Sequence, residues 1–514
     1  MPDTNKTSRG IGRARNVLSN WGSYVFGALV GFLLSPLIVH SLGDVSYGIW
    51  VLLGSLVGYL GLLDLGVRGA VTRFIAKFHT QSDHLQATRL ASSALVVFSV
   101  AGMVAILIGL GLAVVIGQIF QIPAELLGAA RMVVVLGGVN IAVSLVSGVF
   151  GGVVAGLQRF DYANAIEIAV GACRAVVIVV ALKMGMGLVA LAVIQLSMST
   201  IRGLASLWLS RRLYPELKPS FGACRREQLE TIFTFSISIL LLQASGMLIL
   251  YTDSVVIGAF LSPALITFFA IAANLIEYAR APVSGISHTV SPWASALEAG
   301  EEFDEVQRVL LVTARLSTLV VLPIVLTFIV RGETFVRLWM GPEYAKLSGE
   351  VLWILSLALT FAAAYQLVVA TMMGLSKHRG LVPAFFIEAL CNIGLSVAWL
   401  QHYGIVGVAW GTAVPRLLAS VFFAPWYVKR VLGIPMRRFW TAVWVRPGLA
   451  MIPFALGSYV VERWWPAPNL VLYFLQVALI LPLAAAGAWV FSMSAAERSR
   501  LVSLRSARSV GGDS

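Results

Sequence analysis

Runs of about twenty apolar residues fill this sequence almost end to end, and no other feature restricts its fold so severely. A helix needs about 20 such residues to cross the hydrocarbon core, because with no water present each backbone N–H and C=O must be satisfied within the segment. The runs fall near 17–40, 46–67, 91–116, 132–156, 161–182, 187–209, 231–257, 264–287, 309–330, 349–374, 380–401, 405–428, 447–463 and 469–491. They predict an all-α integral membrane protein with about fourteen spans. The first run follows Lys6, Arg9, Arg13 and Arg15, is too long for a signal-peptide core and lacks a small-residue cleavage site, so it reads as a retained span.

Composition agrees. Of 514 residues, 59% are hydrophobic and 12% charged, against roughly 25% charged in soluble domains. A formal charge of +13 would raise the question of nucleic acid in a soluble protein, but its distribution points elsewhere. With the N-terminus cytoplasmic, 29 basic residues fall on the cytoplasmic side, from Lys6 to Arg508, and six on the other: Arg131, Lys183, Arg331, Arg337, Lys346 and Arg463. That asymmetry predicts both termini inside, with anionic phospholipid as the partner of the positive charge and no nucleic acid. Cys173, Cys224 and Cys391 lack ligand spacing, and the six histidines are scattered. Neither a disulfide nor a metal site is expected.

The second half repeats the first at an offset near 217 residues. Gly156-Leu157-Gln158 matches Gly374-Leu375-Ser376, GLVALA from Gly187 matches GIVGVA from Gly404, and Cys173 matches Cys391. Gly43 and Gly258, and Asp64 and Glu277, extend the series. Six spans separate the copies, so the repeat is parallel, with its pseudo-two-fold axis along the membrane normal. The expected organisation is a cytoplasmic tail at 1–16, a six-helix lobe at 17–222, a second at 223–430, two further helices at 431–492 and a basic tail at 493–514. Two matched lobes can rock about a site near the midplane, which is the logic of alternating access.

Three segments, SLGDVSYGIWVLLGSLVGYLGLLDLGVRGAVTRFIA (41–76), YTDSVVIGAFLSPALITFF (251–269) and FVRLWMGPEYA (335–345), resemble the polysaccharide-biosynthesis flippases, the O-antigen and exopolysaccharide type. Their superfamily also holds multidrug and toxin extruders and lipid II flippases. The resemblance implies fourteen spans in two six-span lobes and a substrate carried on undecaprenyl pyrophosphate. It further implies a bacterial inner membrane, no cofactor, no catalysis, and work alongside polysaccharide polymerase or export machinery.

A charge at the bilayer centre costs at least about 2.5–3.5 kcal/mol, so charges within spans call for an explanation. Asp64, Arg68, Glu167, Arg174 and Arg202 lie within or beside the spans of the first half, and Asp253, Glu277, Arg280, Glu388 and Arg416 in those of the second. Arginine matches phosphate oxygens with a permanently charged fork. Arg174, Arg280 and Arg416 are therefore the expected head-group contacts, with Arg68, Glu277 and Glu388 in the same cavity. Asp253, Asp64 and Glu167 are the candidates for ion coupling. Arg174 follows Glu167 by two turns on one helix face, and Arg416 follows Pro415, where a kink is expected. Against this stand plainer readings. Asp64 with Arg68 and Glu277 with Arg280 are spaced to neutralise each other, Arg68, Arg202 and Arg280 can snorkel to head groups, and Asp253 can simply bond a neighbouring helix.

The pattern at Gly185 matches a dinucleotide fingerprint but joins two spans, and no P-loop occurs. Pairs such as Gly27–Gly31, Gly54–Gly58, Gly148–Gly152 and Gly407–Gly411 allow close helix approach. A cation-coupled drug antiporter is the alternative transporter, for which a deep acidic pocket is expected rather than arginines. A membrane glycosyltransferase or polymerase would need catalytic carboxylates and long outer loops, and the segment around 331–348 is short.

Overall fold

The computed structural model describes residues 4–492, and the basic tail with Arg498, Arg500, Arg505 and Arg508 lies outside them. All regular structure among the described residues is helical. In chain order the helices are α1 (Thr4–Leu42), α2 (Asp44–Tyr59), α3 (Val67–Thr80), α4 (His84–Ile119), α5 (Ala124–Gly156), α6 (Phe160–Lys183) and α7 (Leu188–Leu213). Then come α8 (Arg226–Phe260), α9 (Pro263–Ala299), α10 (Phe303–Trp339), α11 (Pro342–Gly374) and α12 (Val382–Leu418). The last are α13 (Ala424–Leu432), α14 (Met436–Trp440), α15 (Arg446–Ala450), α16 (Ile452–Trp464) and α17 (Leu470–Gly487).

Among the described residues, thirteen helical stretches are long and apolar enough to cross a membrane. One of them, His378–Leu432, leaves the helical region at Gly404 (φ 58°, ψ −140°) and folds back on itself. Ser396 Oγ then lies 3.5 Å from the Val408 carbonyl, and Asn392 bonds Thr412 at 2.8 Å. Counting that hairpin as two gives fourteen such stretches among the described residues. The reversal lies at glycine because only glycine adopts this φ without strain, and the helix continues through Pro415 into a π turn at Ala419–Phe423. The reversal falls in the gap expected between the runs 380–401 and 405–428, and the helix is continuous through Pro415 ahead of Arg416.

Two compact units emerge, one of residues 1–281 with 379–415 and one of 282–378 with 416–514. In the first, α3, α4 and α5 bury Val71, Ile75, Leu90, Phe98, Leu145 and Val149, and the segment after α7 adds Tyr214 and Leu217. In the second, α10, α15, α16 and α17 pack around Leu322, Met451, Phe454 and Ile480.

The repeated landmarks adopt one backbone form. After α5 the N–H groups of Leu157, Gln158 and Arg159 bond the carbonyls of Val153, Ala155 and Val154, with Gln158 left-handed at φ 58°. After α11 those of Leu375, Ser376 and Lys377 bond Thr371, Met373 and Met372, with Ser376 at φ 55°. The preceding glycines are pressed against backbone in both places. A Cβ at Gly156 would lie 2.9 Å from the Thr72 carbonyl oxygen, and one at Gly374 would collide with that of Ser291.

Lipid tails are as apolar as leucine, so packing and polar contacts, not hydrophobicity, hold helices together in a bilayer. The second unit shows this at Arg331. The sequence pattern places this residue beyond the end of a span, but α10 runs on to Trp339 and Arg331 is fully buried. Its Nε donates to Glu462 at 2.8 Å, its Nη2 to Gln476, and its guanidinium lies 4.4 Å from the Tyr473 ring centroid. Thr334 donates to the other oxygen of Glu462. The network pins α16 and α17 to α10.

Removing one member of a buried pair strands the other, at about 3–5 kcal/mol. Arg331→Ala is accordingly expected to lower the thermal unfolding midpoint of the detergent-solubilised protein sharply, and Arg331→Met with Glu462→Leu to recover most of that loss. At the hairpin, a Cβ on Gly411 would collide with Ser396 Oγ, so Gly411→Leu is expected to destabilise by about 1–3 kcal/mol through overpacking.

Candidate functional site

Within the first unit, α1 and α2 are joined to α8 and α9 by contacts that begin at the Gly43 turn. Thr267 donates to the Asp44 carbonyl at 2.7 Å, Asn274 to the Tyr47 hydroxyl at 3.2 Å, and Tyr278 pairs with Ser35 at 3.0 Å. Glycines allow the approach: a Cβ at Gly48 would overlap the Pro263 carbonyl, at Gly58 the Tyr251 ring, and at Gly31 the Tyr278 ring. Further along α2, Tyr59 bonds Thr252 at 2.8 Å and meets Tyr251 edge-on.

Next to Thr252 lies a buried polar cluster. Asp253 of α8 is 6% exposed, and its Oδ2 accepts a hydrogen bond from Thr412 at 2.7 Å. Asn392 donates to the same threonine hydroxyl, while the buried Asp253 Oδ1 and Asn392 Oδ1 accept no hydrogen bond. Glu388, one turn before Asn392 on α12, is buried as well. The Gly404 hairpin creates this arrangement, since it lays Thr412 against Asn392. Asp253 and Glu388 are legible in the sequence as intramembrane acids. Asn392 and Thr412 are not, because neutral polar residues in spans are common and only the hairpin register pairs them.

Of the remaining charges expected within spans, Asp64 is mostly buried and the others are partly exposed. Span 2 is interrupted by a 3₁₀ turn at Leu60–Asp64, and Leu65 (φ 52°) and Gly66 (φ 76°) are left-handed before α3 begins. A left-handed leucine costs about 1–3 kcal/mol, and mid-helix distortions of this sort gather at functional sites. Asp64 pairs across the distortion with Arg68 at 3.4 Å, and the Arg68 guanidinium lies against Gly148 of α5, where a Cβ would be 2.9 Å away. Glu277 and Arg280 pair at 2.7 Å.

Glu167 and Arg174 share a face of α6, but each turns to α7: Glu167 bonds Arg202 at 3.2 Å and Arg174 bonds Gln195 at 3.2 Å. Arg174 thus has a neutral partner and makes no ion pair among the described residues. Arg416 is half-buried in the second unit, one residue after Pro415. At the turn between α5 and α6, outside the spans, the Asp161 carboxylate grips Arg159 with two bonds of 3.1 and 3.2 Å and raises its pKa.

The family model described as polysaccharide biosynthesis protein matches residues 14–298. A Haloferax volcanii protein named probable flippase AglR is 22% identical over 452 residues, covering 87% of this chain and 90% of its own. A Shigella flexneri protein with the provisional name O-antigen transporter is 19% identical over 422 residues, covering 82% and 98%. Among solved structures, the lipid II flippase MurJ in an inward closed conformation aligns over 93% of this chain and 98% of its own, with a TM-score of 0.71 and 12% identity. An inward-facing multidrug resistance transporter of the MATE family aligns over 81% and 96%, with a TM-score of 0.67 and 15% identity. The fold is therefore that of this group of membrane transporters.

Thr412 is the joint of the buried cluster. Thr412→Val leaves Asp253 and Asn392 without their shared partner and is expected to destabilise by about 1–3 kcal/mol, whereas Thr412→Ser keeps the hydroxyl and the stability. Chemical denaturation of the purified variants in detergent measures both.

Proposed function

The chain belongs to the polysaccharide biosynthesis protein family, and from that premise we propose that it is a flippase. It carries an undecaprenyl-pyrophosphate-linked oligosaccharide from the cytoplasmic to the outer leaflet of a bacterial inner membrane. Two six-helix lobes, 17–222 and 223–430, alternate the access of a cavity while the lipid tail stays in the bilayer. No covalent bond is made or broken.

The observation that carries this reading is Arg174. A guanidinium within a span, with a neutral glutamine as its partner, retains a full positive charge. Hydrocarbon disfavours that charge, so it belongs against water or an anion. A pyrophosphate crossing the membrane meets that need, and Arg280, Arg416 and Arg68 serve as further contacts, with Glu277 and Glu388 tuning the cavity. A small cationic drug would gain nothing from such a residue, which favours the flippase over a multidrug antiporter.

With the N-terminus cytoplasmic, the Gly43 turn faces outward. The contacts of α1 and α2 with α8 and α9 then lie at the outer end of the first unit, and the substrate is made on the opposite, cytoplasmic side. A potential negative inside favours export of an anionic head group by about 2.3 kcal/mol per charge per 100 mV if the full field is crossed. The Asp253 cluster, with two buried oxygens that accept no hydrogen bond, is the place for a coupling proton or monovalent cation. Asp64 and Glu167 are already engaged by arginines and are the weaker candidates.

Cells lacking this protein, and without a second flippase, are expected to accumulate the lipid-linked glycan on the cytoplasmic face. Mass spectrometry of lipid extracts, with sidedness read on intact spheroplasts, measures it. Wild type relieves the accumulation, and Arg174→Ala is expected to reduce turnover by at least about ten-fold at equal expression, the scale of one lost charge-assisted bond. Absence of accumulation in the deletion strain would defeat the flippase reading and leave the small-molecule antiporter.

A further inference from the structure

The turn between α13 and α14 carries a charge cluster that the transport reading does not use, and it lies wholly in the second unit. From residue 389 to residue 461 the chain contains no aspartate or glutamate. Lys429 and Arg430 occupy the last turn of α13, and Arg437 and Arg438 the first turn of α14. All four are exposed, and none forms an ion pair among the described residues. Like charges this close repel. The two arginines also stand at the positive end of the helical stretch Met436–Trp464, where a cation is disfavoured.

The scaffold beneath them is fixed. Gly433 closes α13 in the left-handed conformation (φ 72°), with its N–H on the Lys429 carbonyl at 3.0 Å. The Leu432 carbonyl accepts from Gln307 at 2.8 Å, and Ile434 and Phe439 are buried. Tyr427 donates to the Lys377 carbonyl at 2.6 Å, and Trp440 to that of Val421 at 2.9 Å. Beside the cations, Phe422 and Trp426 are exposed one turn apart, and Arg430 lies over the Trp426 ring at 5.6 Å from its centroid. Tryptophan with basic residues at a span end is the composition of the head-group layer.

We propose that this turn is a binding site for a phospholipid bearing two phosphates, of the diphosphatidylglycerol class. One phosphate sits against Lys429 and Arg430 and the other against Arg437 and Arg438, with the glycerol and upper acyl carbons on Phe422 and Trp426. Two pairs of cations across one tight turn fit two linked phosphates better than one. The exposed aromatics select a ligand embedded in the membrane over a soluble polyphosphate. Basic pockets between spans on the cytoplasmic side recognise anionic head groups in this way, and the site stands whichever substrate the protein carries.

Native mass spectrometry of the full chain in detergent, titrated with diphosphatidylglycerol or phosphatidylglycerol, tests it. Wild type is expected to hold one diphosphatidylglycerol at least about ten-fold more tightly than phosphatidylglycerol. Substituting Lys429→Gln, Arg430→Gln, Arg437→Gln and Arg438→Gln together is expected to weaken binding on the order of a hundred-fold. A control with the same charge change, Arg211→Gln, Arg212→Gln, Lys218→Gln and Arg225→Gln, is expected to shift it by less than about two-fold. Should the fourfold variant unfold, the two pair variants decide, each expected to lose on the order of ten-fold. Equal loss in the control, equal affinity for phosphatidylglycerol, or displacement of the lipid by inorganic pyrophosphate at similar concentration would each overturn the proposal.

Discussion

Hydrocarbon offers a peptide group no hydrogen-bond partner and gives two leucines no reason to leave lipid for each other, and the architecture answers both facts. The first makes each crossing a helix, with reversals at glycine or left-handed turns such as Gly43, Gly404 and the residues after α5 and α11, and at extended residues such as Phe120 and Leu261. The second shifts cohesion onto contact distance. Hence Gly48, Gly58 and Gly31 lie where α2 and α1 press on α8 and α9, and Gly407 and Gly411 where the α12 hairpin closes. At none of these would an alanine methyl fit without displacement.

Charge is handled in distinct ways by depth. Arg331, fully buried, is surrounded by Glu462, Gln476 and Tyr473 and serves to hold two helices in place. Asp253, also buried, is held by a threonine hydroxyl and keeps an oxygen unengaged. Asp64, mostly buried, and Glu167 and Glu277, half-exposed, are neutralised by arginines. Arg174 departs from that pattern with a neutral partner, and the α13–α14 turn departs from it on a larger scale, with four cations and no carboxylate. Where the protein leaves charge uncompensated, a ligand is the natural source of compensation.

The repeat was visible in the sequence as isolated landmarks, and its physical content lies in the turns. Gly156 and Gly374 are conformationally ordinary helix residues, yet each faces the backbone of a neighbouring helix, at Thr72 and Ser291, and each is followed by the same left-handed reversal. A sequence offset could identify the residues but not the reason for them. Span ends were less legible. Arg331 looked like a loop residue because arginine in a span is costly, and the partners that offset the cost come from more than a hundred residues away.

The sequence by itself determined that the chain is helical, that it lives in a membrane and that it crosses about fourteen times, since length and apolarity are local properties and the bilayer admits few solutions to them. It also determined which charges had to be accounted for. Only the tertiary structure decided how: that Glu167 belongs to Arg202 and not to Arg174, that Thr412 joins Asp253 to Asn392, and that Arg331 is buried. Each of these depends on which helix lies beside which, and neighbours distant in sequence leave no periodicity along the chain from which they could be read.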